Sequence, residues 1–381
     1  AAELQAAQDR GIAPTSTDRI APWFTAATLL VAALTLMGWW LAQGSDVAIA
    51  RTVAVLVVAC PCALALAQPL AAAAGLGAAA RRGLLLRSSD ALLRLGRVNV
   101  AGLDKTGTVT VGAITVVDAS DAALRVAAGL ERYSGHPIAR AITAEAAHRG
   151  IPLPQAQRLE ETPGEGIRGV VDGSSWELRS AGPGAIELAG EGGQREIIRL
   201  DDAVRPEAQT TVATLKRLGL RTTLLTGDHL DAARRIAELT GVDEISARVD
   251  PHSKAVWVRR QQEAGNRVLF VGDGLNDGPA LAAADLGIAM ATGSASSILV
   301  ADGIVSTSSL APVAAGIRAG RAAERMIRRS QLHSIVYNVL AVGAAVIGMV
   351  NPLVAAVLMP VSNAMVIWNA ARVERLVLQG D

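Results

Sequence analysis

Asp104 is the residue with the clearest chemical potential in this chain. It closes the apolar run Val98-Asn99-Val100-Ala101-Gly102-Leu103 and precedes Lys105-Thr106-Gly107-Thr108. An aspartate can attack phosphorus and form an aspartyl-phosphate. The Gly and Thr residues behind it supply a tight turn and backbone N–H groups for phosphate oxygens. Two further apolar runs end the same way: Arg221–Leu225 leads into Thr226-Gly227-Asp228, and Arg267–Val271 into Gly272-Asp273-Gly274-Leu275-Asn276-Asp277. Between them Pro251-His252-Ser253-Lys254 opens an amphipathic helix. A nucleophile, a hydroxyl with a cation and a carboxylate cluster suit phosphoryl transfer, which depends on positioning and charge neutralisation. Mg²⁺ takes a few carboxylates plus water and phosphate oxygens, and Asp104 with Asp273 can supply them.

Those groups need strands to hold them. Each apolar run has the length of a buried strand bounded by turn residues, and open α/β sheets bind ligands at the carboxyl ends of their strands. Cys60-Pro61-Cys62 poses a different chemistry. A proline inside a helix removes a hydrogen bond and clashes with the turn before it. In membrane helices such breaks mark binding sites. Two thiols flanking the break make a soft site, suited to Cu(I) and similar ions.

The rest of the chain places that pair in a bilayer. Hydrophobic residues are 51% of 381, charged residues 19% and the net charge is +1, so no bulk attraction to nucleic acid is expected. The two cysteines exclude a disulfide scaffold. Four segments are long enough to span: roughly 20–43, 47–74, 334–349 and 352–370. Arginines flank the ends next to the large central region, and the short links Gly44-Ser45-Asp46 and Val350-Asn351-Pro352 carry none. By the positive-inside rule the central region and both termini are cytoplasmic.

Asp-Lys-Thr-Gly-Thr with this train of motifs resembles the P-type ATPases, and Cys-Pro-Cys resembles their heavy-metal branch. The resemblance implies a multidomain membrane protein. It combines α-helical transmembrane segments with a cytoplasmic α/β haloacid-dehalogenase-like Rossmannoid phosphorylation domain, into which an α+β nucleotide-binding domain is inserted. The implied divisions are a linker helix from an actuator domain (1–19), a transmembrane pair with Cys-Pro-Cys (20–80), a first segment of the phosphorylation domain (81–112) and the nucleotide-binding domain (113–200). The second segment of the phosphorylation domain (201–325) and a second transmembrane pair (326–381) follow. Asp104 would be phosphorylated by ATP, beside Lys105 and Thr106. Thr226, Gly227, Asp228 and Lys254 would hold the phosphoryl group. Mg²⁺ would sit on Asp104, the Thr106 carbonyl and Asp273, with Asn276 and Asp277 completing the network. Asp202, in Asp202-Ala203-Val204-Arg205-Pro206, matches the family's re-entry into this domain, and His229 stands where the family more often has Asn. Glu131, His136, Gly164 and Gly166 would contact ATP.

The copper(I) branch of the family adds Tyr-Asn in the penultimate helix and Met-x-x-Ser in the last, here Tyr337-Asn338 and Met359-Pro360-Val361-Ser362. With Cys60 and Cys62 these form the implied copper ligands. The zinc branch would place a Lys and an Asp there, and neither occurs between Ser334 and Ala371. The expected activity is ATP-driven Cu(I) export across a bacterial inner membrane, with a cytosolic copper chaperone and a periplasmic acceptor as further partners. Ag(I) shares the ligands, and a regulatory copper-binding fragment is the non-enzymatic alternative. Soluble phosphatases of the superfamily carry a second Asp two residues after the nucleophile. Here that residue is Thr106, which speaks against a membrane-anchored phosphatase. The resemblance begins midway through the family's architecture. No Thr-Gly-Glu actuator loop or Cys-x-x-Cys domain is found, so the sequence reads as a piece of a pump that is phosphorylated but cannot complete its cycle alone.

Overall fold

The computed structural model describes residues 16–368 apart from positions 61, 163–165, 183, 274–276, 292–294, 358–359, 362–363 and 365–366. Of the expected site residues, Gly164, Asn276, Met359, Ser362 and the side chain of Cys62 lie outside the described residues.

The chain opens with α1 (Ser16–Gln43), turns at Gly44, where φ is +90°, into α2 (Ser45–Val58), and continues as α3 (Cys62–Arg81). Then come β1 (Leu84–Leu86), α4 (Ser89–Gly96), β2 (Val100–Asp104) and, after a five-residue loop, β3 (Thr110–Asp118). Helices α5 (Asp121–Leu130) and α6 (Pro137–His148) precede five strands: β4 (Gln157–Thr162), β5 (Gly166–Val171), β6 (Ser174–Ser180), β7 (Ala185–Gly190) and β8 (Arg195–Val204). An alternating stretch follows: α7 (Ala208–Arg217), β9 (Arg221–Leu225), α8 (Leu230–Thr240), β10 (Glu244–Ser246), α9 (Pro251–Glu263) and β11 (Val268–Gly272). It ends with α10 (Gly278–Ala283), β12 (Leu286–Met290), α11 (Ala295–Val300), β13 (Gly303–Val305) and α12 (Ala311–Val346).

Two sheets result. The first has seven strands in the order β1-β13-β12-β11-β2-β9-β10. Its centre is parallel, with Leu103 of β2 opposite Val271 of β11 and Ile288 of β12 in register with the same Val271. Every residue of β2, β11 and β12 is buried, as expected for parallel strands covered on both faces. The second sheet is antiparallel, in the order β3-β8-β7-β6-β5-β4. Leu124, Leu130 and Ile142 of its two helices fill its core with Leu188 and Ile198. This is the α+β insert that the sequence implies.

Local chemistry sets the element ends. Ser88 caps α4 by accepting from the Ala91 N–H, and Asp250 caps α9 by accepting from the Ser253 N–H at 2.7 Å, with Pro251 at the first helical position. Gly241 ends α8 in the left-handed region.

The chain divides into two compact units. One holds residues 1–103, 211–223 and 249–381, and the other residues 104–210 and 224–248. In the first, the spans expected from hydropathy take a particular form. Among the described residues one helix segment, Pro22–Gln43, is long and apolar enough by itself to cross a membrane. The expected second span is two helices, α2 ending at Val58 and α3 beginning at Cys62. The expected third span is the distal stretch of α12 rather than a helix of its own. The fourth is helical over 352–357. Ala32, Ala54, Val55 and Ala345 pack α1, α2 and α12 together. At the α1–α2 turn the Trp39 indole donates to the Val346 carbonyl at 2.8 Å, and the Arg51 guanidinium stacks over Trp39.

Candidate active site

In the second unit the loop after Asp104 is held rigidly. Asp104 and Lys105 are both buried. Gly107 adopts φ +70°, a conformation that costs a side-chain-bearing residue dearly. The buried Arg205 guanidinium donates to the carbonyls of Thr108 and Gly107, both at 2.7 Å. The Thr110 hydroxyl accepts from the Gly107 N–H at 3.2 Å and lies between the Lys105 carbonyl and the Asp202 carboxylate. The loop after Asp104 is therefore fixed by Arg205 and Asp202 from β8 and the segment behind it. The sequence motif there points to Asp202 and gives no role to Arg205.

Lys105 turns back into a cage of acids. Its ammonium pairs with Asp228 and lies 3.7 Å from Asp201. Burial disfavours its charge, yet the hydrogen bond and charge of Asp228, then Asp201 and Asp202, outweigh that and raise its pKa. Thr226 is buried at the end of β9, its N–H donating to the Ser246 carbonyl and its hydroxyl accepting from the Asp228 N–H at 3.1 Å. His229, the departure from the family pattern, receives a contact from Arg248 at 3.1 Å.

The same unit carries the expected nucleotide residues around one cavity of about 430 Å³, lined among others by Glu131, Ser134, His136, Glu161, Gly166 and Arg179. His136 caps α6, its Nδ1 accepting from the Ile138 N–H. In the neutral ring that leaves Nε2 as the donor. Gly166 has φ +147°, and a Cβ there would lie 2.1 Å from the Leu178 carbonyl oxygen. Only glycine fits the strand at that point, which gives the second glycine of Gly-x-Gly a steric reason. Burial pushes the Glu131 carboxyl up, with Glu161 adding to it and Ser134 and His136 opposing.

In the first unit Lys254 and Asp277 form a sealed pair at 2.7 Å, their side chains 8% and 1% exposed. The second oxygen of Asp277 is buried with no partner among the described residues. A Cβ on Gly272 would stand 2.3 Å from that oxygen. Asp273 follows directly, half-buried, at the end of β11. Leu103 and Val271 are opposite one another on neighbouring parallel strands. An orphaned carboxylate oxygen among hard donors suits Mg²⁺.

In the membrane region Cys60 is half-buried at the break between α2 and α3 and is disulfide-bonded. Tyr337 packs against the cluster of Val58, Ala341 and Ala355, and its hydroxyl is buried without a partner among the described residues. Asn338 beside it is buried. Arg51, which the motifs do not flag, is a permanent charge on α2.

Comparisons with known proteins agree with this geometry. Residues 98–285 match a haloacid dehalogenase-like hydrolase family, and 256–317 match a second family of that description. The chain is 36% identical over 395 residues to copper-transporting ATPase 1 of Rhizobium meliloti, covering 93% of this chain and 48% of the relative. It is 35% identical over 401 residues to a copper-exporting P-type ATPase of Mycobacterium tuberculosis, covering 97% and 52%. The crystal structure of a zinc-transporting PIB-type ATPase in the E2.Pi state superposes with a TM-score of 0.88 at 30% identity, covering 98% of this chain and 66% of that one. The chain belongs to the heavy-metal P-type ATPases. It spans about half the length of the curated relatives it matches. In this family member the loop after Asp104 follows β2, and the cavity around His136 lies in the inserted α+β fold. Sequence reasoning missed Arg205, Asp201, Glu161 and Arg51. The signal for Arg205 was its place three residues after Asp202, where an otherwise costly buried arginine precedes a proline.

Proposed function

We propose that this chain carries the catalytic and metal-binding portion of an ATP-driven pump that exports Cu(I) through an aspartyl-phosphate at Asp104. An Asp104 carboxylate oxygen attacks the γ-phosphorus of ATP, the new O–P bond forms, the bond to the bridging oxygen breaks, and ADP leaves. The loop behind Asp104 would turn backbone N–H groups to phosphate oxygens, with Thr226 and Lys254 as the groups that hold the phosphoryl once it is on Asp104. Asp104, the Thr106 carbonyl, Asp273 and Asp277 would hold Mg²⁺, which when bound neutralises phosphate charge. Thr106 replaces the carboxylate that would serve as general acid and base, so the phosphoenzyme lacks its proton carrier and persists. A persistent intermediate suits transport.

Copper is proposed over zinc on one observation. The buried hydroxyl of Tyr337 has no partner among the described residues, and Tyr337 packs against the cluster that holds Val58, two residues before Cys60. A soft thiolate set with Tyr337 and Asn338 suits Cu(I), and the far helices hold no Lys or Asp between Ser334 and Ala371. Cu(I) ligation requires Cys60 as a thiolate, so the test is run under reduction. The purified chain is given γ-labelled ATP with and without Cu(I), beside Asp104→Asn and Cys60→Ala. Acid-stable label that needs Asp104, rises with Cu(I) and loses its copper response in Cys60→Ala is expected. Label that persists in Asp104→Asn refutes the nucleophile, and a response to Zn²⁺ in place of Cu(I) refutes the metal.

A further inference from the structure

The nucleotide cavity does not end at Gly166. A second cavity of about 500 Å³ lies in the same unit, lined by Lys105, Thr106, Asp201, Arg199 and Arg235. Ile138, Gly184, Ala185 and Leu200 line both. The two are thus halves of one trough, narrowed at Gly184, whose Cβ would approach the Leu200 carbonyl oxygen to 3.0 Å. One half holds Glu131 and His136. The other reaches Lys105 and Thr106, the neighbours of the nucleophile.

A nucleotide with its base beside Glu131 and its terminal phosphate at Asp104 must thread its polyphosphate through the second half. The cations on that wall are Lys105, Arg199 and Arg235. Lys105 is already engaged by Asp228. Arg235 differs from its neighbour on α8: Arg234 pairs along the helix with Asp231, whereas Arg235 reaches Asp201 on β8 at 3.6 Å. That separation is an ion pair without a good hydrogen bond. Arg235 is 38% exposed and Asp201 only 12%, so the arginine is the member that can turn to a ligand. Asp201 also faces Lys105, so one carboxylate neutralises two cations where the polyphosphate would run. A guanidinium fork matches phosphate oxygens in a way an ammonium does not.

We infer that Arg235, assisted by Arg199, binds the outer phosphates of the incoming nucleoside triphosphate, and that Asp201 holds Arg235 in place until the nucleotide displaces it. The inference rests on the proposed ATP reading and adds residues to it. Arg235 is here a binding residue, and Asp201 a positioning residue.

Binding of AMP, ADP and a non-hydrolysable ATP analogue to the full chain, in an Asp104→Asn background that prevents phosphoryl transfer, tests it. Arg235→Ala should weaken ADP and the ATP analogue about tenfold, the scale of one charge-assisted phosphate contact, and leave AMP within about twofold. Arg235→Lys should restore some of the loss. Asp201→Asn should tighten the ATP analogue, and that gain should vanish when Arg235→Ala is also present. Equal weakening of AMP and the ATP analogue would mean a structural ion pair and overturn the inference, as would no change in either. If the parent chain bound no adenine nucleotide at all, the nucleotide reading itself would fall, and the inference with it.

Discussion

The two units each bury a lysine beside an aspartate, and they solve the problem differently. Lys254 and Asp277 are both shut away from water, 8% and 1% exposed, with one oxygen of Asp277 left over. Lys105 is equally buried at 7%, but its partner Asp228 is 44% exposed and two further acids stand near. The first pair is a fixture, because neither charge can exist there without the other. The second is an exchangeable contact, because water can replace Lys105 at Asp228. Accepting and releasing a highly charged nucleotide calls for the second kind of pair, and holding a fixed charge calls for the first.

The largest expected effect breaks the fixture. Lys254→Met leaves Asp277 charged, buried and without its cation, and should cost about 3–5 kcal/mol of unfolding free energy. A thermal melt of the purified chain checks it, and a cost under about 1 kcal/mol would mean that Asp277 is solvated after all. Gly272→Ala presses a methyl group to 2.3 Å from the orphan oxygen of Asp277. Overpacking of that kind should cost about 1–3 kcal/mol in the same melt. It should also weaken the Mg²⁺ dependence of labelling. Lys105→Met should cost under about 1 kcal/mol of stability, since Asp228 is readily rehydrated, while still cutting phosphorylation. A stability loss as large as that of Lys254→Met would erase the contrast between the two pairs.

Glu131 offers the smallest and sharpest test. Burial raises its folded pKa above the ordinary value of 4.5, with Glu161 adding and Ser134 and His136 opposing. A raised carboxyl favours the fold below the ordinary value and loses that contribution as pH rises through its folded pKa. Glu131→Gln should therefore stabilise the chain at neutral pH, and the gain should fade as the pH falls towards 4.5. Melts of both proteins across that range decide it, and a gain that grows on acidification refutes the assignment.

Strand ends were the legible region of this molecule. Asp104, Thr226 and Asp273 close apolar runs whose burial is complete or nearly so, and such runs have only one place to go in a parallel sheet. The break at Cys60-Pro61 was legible for a similar reason, since proline removes a backbone donor wherever it falls. What escaped was long-range polar packing. Arg205 acts on carbonyls 97 and 98 residues earlier in the chain, and no local pattern encodes that. Hydropathy marks only the distal, apolar stretch of α12. Arg318, Arg321, Arg325, Arg328 and Arg329 interrupt the apolar character, yet arginine and alanine are strong helix formers. The helix runs unbroken from Ala311 to Val346.

That single helix has a mechanical meaning. With 36 residues and no proline beyond its first turn, it is a rod about 54 Å long. Its amino-terminal end is closely clamped: a Cβ on Gly316 would meet the Leu84 side chain at 2.2 Å, and one on Gly320 the Leu92 carbonyl oxygen at 2.4 Å. Its far end is packed by Ala341 and Ala345 among the apolar helices. Over that length a tilt of about 5° at one end would sweep the other by about 5 Å.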